Sequence, residues 1–230
     1  GSLLQQCYNI ADTLIVGQCI GANALAAVGS AYTLMVFLIS ILLGLSMGSG
    51  TVFSLQYGAG DLSALRRSIY VSFLLIGTVT ILLNVAVFLW LDPILRWLQV
   101  PYDIYSLMRN YLWIIFWGIV FTFLYNFYAA LLRAVGDSVT PLWFLAVSVV
   151  LNIGLDLFLI LVLDQGIEGA AVATVIAQGT AASGILLYTY KIRPELRLHR
   201  EDMRFDRSSL REITSFSTCL LYTSDAADEL

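Results

Sequence analysis

Six apolar runs separated by short polar turns set the outline of this chain: 1–19, 32–53, 69–91, 111–132, 142–163 and 169–190. A helix needs about 20 mainly apolar residues to cross a bilayer, so each run predicts a spanning helix. The first begins abruptly and reads as truncated. The third carries no charge at all. The connections hold turn-forming residues: Gly58-Ala59-Gly60-Asp61, Asp92-Pro93, Val100-Pro101, Gly136-Asp137 and Asp164-Gln165-Gly166. The stretch 93–98 predicts a short interfacial helix, with Trp90 and Trp97 at headgroup level.

Composition turns this outline into a class. The chain is 59% hydrophobic and only 12% charged, with a mean hydropathy of +0.84. Soluble domains carry about 25% charged residues. The expected fold class is an all-α membrane protein, a bundle of six transmembrane helices over residues 1–190. Membrane lipid is its expected surrounding, and no nucleic-acid partner is expected.

Charge then orients the bundle. Lys and Arg gather on the cytoplasmic side of spanning helices. Arg66, Arg67, Arg133, Lys191, Arg193, Arg197, Arg200, Arg204, Arg207 and Arg211 fall on one side, and only Arg96 and Arg109 on the other. The even-numbered spans therefore end in the cytoplasm. Residues 191–218 read as a cytoplasmic linker with a short amphipathic helix near 208–213. Its interleaved acids favour a solvated linker over a lipid-binding basic patch.

The ending 219–230, Cys-Leu-Leu-Tyr-Thr-Ser-Asp-Ala-Ala-Asp-Glu-Leu, resembles translated sequencing adapter and is expected to be non-native, with the natural protein continuing past Thr218. The formal charge of −4 becomes −1 once Asp225, Asp228 and Glu229 are set aside. Cys7, Cys19 and Cys219 lack metal-site spacing, and the first two read as small packing residues. The lone histidine, His199, lies in a polar loop, so a His-based metal or nucleophile site is not expected. The protein is not expected to be an enzyme.

Two acids lie where acids are expensive. Asp12 and Asp156 sit inside apolar runs, and an ionisable group at mid-membrane costs about 2.5–3.5 kcal/mol on the insertion scale. An acid that only ties helices together would need a basic partner, but no Lys or Arg lies in any span core. Such an acid binds a proton or a metal cation. Asn152 lies one helical turn before Asp156, on the same face. A hard cation such as Na⁺ takes carboxylate, amide, hydroxyl and carbonyl oxygens together. Thr174 offers a hydroxyl from the next helix, although threonines also bond their own helix backbone. Tyr8, one turn before Asp12, and Gln178, one turn after Thr174, are supporting candidates or packing residues. Asp12 and Asp156 each precede an Ala-Ala-Val string by 14 residues, the pattern of an internal repeat.

Two further features read as packing. Gly44 and Gly48 form a Gly-x-x-x-Gly that lets another helix approach closely. Phe116, Trp117, Phe121, Phe123, Tyr125, Phe127 and Tyr128 could wall a cavity for planar cations, but single rings mostly face lipid or neighbouring helices.

Several strings together resemble one family: Leu4-Gln5-Gln6-Cys7-Tyr8-Asn9-Ile10-Ala11-Asp12-Thr13, Gly58-Ala59-Gly60-Asp61, Leu132-Arg133-Ala134-Val135-Gly136-Asp137-Ser138-Val139-Thr140-Pro141, Asn152-Ile153-Gly154-Leu155-Asp156 and Gly169-Ala170-Ala171-Val172-Ala173-Thr174. Over residues 1–218 the chain resembles the N-terminal half of a multidrug and toxic compound extrusion (MATE) transporter of the bacterial DinF-like type. The resemblance implies one six-helix lobe of a two-lobe protein, with the C-terminal lobe of the same polypeptide as its missing partner. It implies an H⁺ or Na⁺ site at Asp12, Asn152, Asp156 and Thr174. It also implies antiport of amphipathic, often cationic drugs across a bacterial inner membrane, with no cofactor beyond the coupling ion. The alternative within the superfamily is a flippase for lipid or polysaccharide precursors. Such a protein lines its cavity with basic residues, which these spans lack.

Overall fold

Backbone groups in hydrocarbon have no water to bond, so each run must satisfy its own N–H and C=O groups as helix. The computed structural model describes residues 14–199, 202 and 209–218, and these are almost entirely helical. We number the helices α1 (residues 14–19), α2 (Ala22–Gly58), α3 (Leu62–Trp97), α4 (Tyr102–Trp117), α5 (Ile119–Ala134), α6 (Val139–Leu157), α7 (Gly166–Ile192) and α8 (residues 209–218). Among the described residues four helices are long and apolar enough to cross a membrane, and the bent pair α4–α5 makes a fifth span. Most of the first predicted span lies outside the described residues, with only 14–19 seen as helix.

The helices differ from the sequence expectation mainly at their ends. α2 has 37 residues rather than the 22 of run 32–53, because the Ala-rich segment before it also helps form helix. The expected interfacial helix at 93–98 is instead the end of α3. Pro93 lacks the N–H that would bond back one turn, yet the helix bends at Trp90 (φ −113°, ψ 15°) and continues. The fourth run is two helices, α4 and α5, meeting at Gly118 with a 44° bend. α6 ends in a π-helical turn, Phe158–Val162. The helix expected near 208–213 is described over 209–218, longer than expected. Cys19 is exposed rather than packed.

α2 packs against α3, α4 and α5, while α7 packs against α4, α5 and α6. The broken α4–α5 span is therefore the centre of the bundle. Phe53 of α2, Phe73 of α3, and Phe123 and Phe127 of α5 form a ring cluster, with centroids 5.4–6.0 Å apart. The aromatic run thus serves mainly as core. On the far side, α7 offers Ala170, Ala171, Ala173 and Ala177, all buried, so α6 can approach closely.

Polar contacts lace both ends. At one end, Tyr105 and Arg109 of α4 donate to Asp92 of α3 at 3.0 and 2.8 Å, and Asn110 donates to Glu168 of α7 at 2.8 Å. At the other, Asp61 caps α3 by accepting from Ala64 N at 2.9 Å. That backbone bond, with one from the Ser63 hydroxyl, holds its carboxyl below the usual range. Asp137 accepts from Thr140 N at 3.1 Å and from its hydroxyl at 2.8 Å, and from Tyr188 of α7 at 3.3 Å. Burial pushes the Asp137 pKa up, but these bonds and the Arg193 charge outweigh it and hold the group below its ordinary value. A lowered carboxylate pKa stabilises the fold at pH values above the ordinary one. We expect this lacing to hold at neutral pH and to loosen only as pH falls below about 4. Asp137→Asn should flatten that acid limb in a thermal-melting series against pH.

The segment after α7 docks onto the same end. Arg66 of α3 pairs with Asp202 at 2.9 Å, and His199 N donates to the same carboxylate at 3.0 Å. Asp202→Asn should weaken this anchor by about 1 kcal/mol, raising the open fraction about fivefold. Faster thiol modification of a cysteine placed at the buried Ser209 would register it, and an unchanged rate would count against the anchor.

Candidate functional site

The α6–α7 interface holds the polar residues that an apolar bundle least explains. Asn152 and Asp156, one turn apart on α6, are both completely buried, at 0% exposure. Thr174 faces them from α7 at 4% exposure. The Asn152 amide satisfies its surroundings with its nitrogen toward the acid: Nδ2 then donates to Asp156 Oδ2 at 3.1 Å, and Oδ1 accepts from Thr174 N at 3.3 Å. Turned over, Nδ2 donates to Thr174 Oγ1 at 3.3 Å. Either way Asn152 joins the two helices. Three of the four predicted site residues thus meet in one place. Asp12 and its supporting candidate Tyr8 lie outside the described residues.

One turn farther along each helix the polarity continues. Ser148 is buried on α6 at the same four-residue spacing, and Gln178 follows Thr174 on α7. Gln178 faces α5, where its Oε1 accepts from the Thr122 hydroxyl at 3.0 Å. These residues and Tyr125, Asn126, Leu145, Val149 and Ala181 line a pocket of about 60 Å³. At about 10–15 Å³ per water, that is space for a few waters. Every lining residue is uncharged. Ser148, Thr122 and Asn126 were not singled out from sequence. The Ser148-Asn152-Asp156 spacing marks the first, whereas the aromatic density of the fourth run conceals the other two.

The donor set among the described residues is one carboxylate, one amide and one hydroxyl. Among the described residues no three His, Cys, Asp or Glu side chains come together. The donor set offers hard oxygens with one ionisable group, a chemistry that suits a proton or a hard cation.

The MatE family model matches residues 1–158. The chain belongs to the MatE family. It is 38% identical over 191 residues to the probable multidrug resistance protein YpnP of Bacillus subtilis, covering 83% of this chain and 43% of that protein. It is 30% identical to the probable multidrug resistance protein NorM of Thermotoga maritima, over 92% of this chain and 46% of that protein. The multidrug export protein MepA of Staphylococcus aureus is 31% identical, over 83% and 42%. The chain therefore spans about half the length of the relatives it matches.

Solved MATE structures share the fold. The chain superposes on an inward-facing multidrug resistance MATE transporter with a TM-score of 0.88 at 22% identity, over 94% of this chain and 49% of that one. An outward-facing structure matches with a TM-score of 0.88 at 24% identity, over 99% and 51%. This MatE chain is a multi-pass membrane protein of a transporter family, as its motifs imply.

Proposed function

We propose that this chain forms the ion-coupling lobe of an antiporter in the bacterial inner membrane. In this reading a protein about twice its length exports amphipathic, often cationic drugs in exchange for H⁺ or Na⁺. The observation that carries the reading is a fully buried carboxylate, Asp156, held by Asn152 and facing Thr174 inside the bundle. A charge buried among apolar spans is tolerated when it is used, because it must be compensated each time it ionises. Binding a proton or Na⁺ supplies that compensation, and releasing the ion removes it. The site then has two states that a gradient can drive. Asp12 belongs to the same site in this reading. The names of the relatives, multidrug resistance and export proteins, support the substrate class. The uncharged pocket lined by Ser148 and Gln178 supports a neutral or cationic substrate over a phosphate-bearing lipid precursor.

The test uses the full-length protein in liposomes. Efflux of a fluorescent cationic dye should follow an imposed inward Na⁺ or proton gradient and stop when that gradient is collapsed. Export insensitive to both gradients would overturn the reading. Orientation is tested separately in intact cells. A cysteine at the exposed Ser63 should resist an impermeant thiol reagent added outside, and one at the exposed Asp103 should react. The opposite pattern would invert the topology.

A further inference from the structure

We infer that the Thr122–Gln178 hydrogen bond is a positioning contact that ties the Asp156 cluster to the break in the fourth span. The inference rests on the proposed role of that cluster as the ion site.

The break itself needs explaining, because no proline causes it. Gly118 lies at the 44° bend, and the next element packed there is α7. A Cβ on Gly118 would sit 2.9 Å from Gln178 Oε1, 3.0 Å from Ile115 O and 3.1 Å from Val175 Cγ2. The α7 side chains Gln178 and Val175 thus pack closely on the bend, where glycine leaves them room. From the opposite side, Asn84 of α3 donates through Nδ2 to Phe116 O at 2.8 Å. A bent helix frees carbonyls near the kink, and in hydrocarbon each needs a new donor. Asn84 supplies one.

Thr122 adds a choice. Its hydroxyl has one proton and two acceptors in reach: Gly118 O at 3.2 Å, one turn back, and Gln178 Oε1 at 3.0 Å. A threonine that bonds back to its own helix carbonyl favours bending. The same proton given to Gln178 bridges α5 to α7 instead. Which acceptor holds it depends on where α7 places Gln178. That placement follows Thr174, one turn away on the same rigid helix and already joined to Asn152. A change in ion occupancy that shifts α7 against α6 therefore moves Gln178 relative to Gly118, and the bend responds.

The experiment measures the bend directly in the full-length protein in nanodiscs. Spin labels at the exposed Ser106 and Arg133 bracket the break. At 1.5 Å rise per residue, straightening a 44° bend would lengthen this separation by about 3 Å. The separation is read with and without Na⁺ at fixed pH, and across a pH step in Na⁺-free buffer. Ion binding is measured separately by calorimetry and proton release. The expected result is an ion-dependent change of up to about 3 Å in the otherwise wild-type protein. Thr122→Val, of equal size but without the hydroxyl, should keep ion affinity within about threefold and lose the change. Gln178→Leu should lose it too, and Thr122→Ser should retain it.

If the separation never responds to the ion, or if Thr122→Val and Gln178→Leu still respond, the inference falls and the ion site stands. Loss of ion binding in Thr122→Val would also overturn it, since Thr122 would then be part of the site. If Asp156→Asn leaves ion binding and the response unchanged, the ion-site reading falls, and the inference with it.

Discussion

Asp156→Asn is expected to abolish ion-coupled export while leaving the lobe folded. The substitution keeps the shape of a completely buried side chain, and the new amide oxygen still accepts from Asn152 Nδ2. It removes the one group in the described cluster that can gain or lose a proton or balance Na⁺. Burying a neutral amide costs less than burying a carboxylate, so insertion and thermal stability should hold or rise slightly. Coupled efflux should fall at least tenfold, corresponding to about 1.4 kcal/mol or more of lost coupling. Thr174→Ala should be milder. It removes one hydroxyl contact, a loss of about 0.5–1.5 kcal/mol, or about twofold to tenfold in ion affinity. Dye efflux under an imposed gradient and elution as a single folded species are the two readouts. Near-normal efflux with Asp156→Asn would remove this residue from the coupling mechanism.

The candidate cluster was more legible in the sequence than the shape of the bundle around it. Asn152 and Asp156 could be read because four-residue spacing in a helix is a geometric constraint, and because polar groups in a long apolar run have few structural uses. Thr174 needed family resemblance, since a lone threonine in a helix has an ordinary use in bonding its own backbone. The break at Gly118 was not legible. The contacts around it are tertiary, Gln178 and Val175 of α7, and the local sequence Phe116-Trp117-Gly118-Ile119 carries no proline or polar cluster to announce it. Pro93 misled in the opposite sense. It reads as a stop, but α3 absorbs the missing bond by bending at Trp90. Gly48 packs against a helix as the Gly-x-x-x-Gly spacing predicts, yet nothing in the local sequence says which helix that is.

That helix is α8, and it sets the second large effect. Gly48 is buried in α2, and a Cβ there would stand 2.7 Å from both the Cα and the N of Ser217. These are backbone atoms of a helix, so they cannot swing aside as a side-chain tip would. Gly48→Leu should therefore displace α8 rather than be accommodated. The helix is also held by Ile213, fully buried against Val52 of α2 and Val71 of α3 with Leu210 and Leu75 packed beside them, and by the Ser68–Ser209 hydroxyl contact at 3.3 Å. Losing the burial of Ile213 costs about 1.5–3 kcal/mol, or about ten- to a hundredfold in the docking equilibrium. A cysteine at Ser217, now almost completely buried, should then react with a small thiol reagent far faster in the Gly48→Leu background. Gly29, with open space around it, supplies the control: Gly29→Ala should leave that rate unchanged. Displacement of α8 would free the segment after α7 while the α6–α7 cluster stays intact. Ion binding should then persist while coupled efflux declines. Ion binding lost in parallel would mean that Gly48→Leu disturbs the whole bundle, and an unchanged Ser217 rate would mean that α8 is not seated on Gly48.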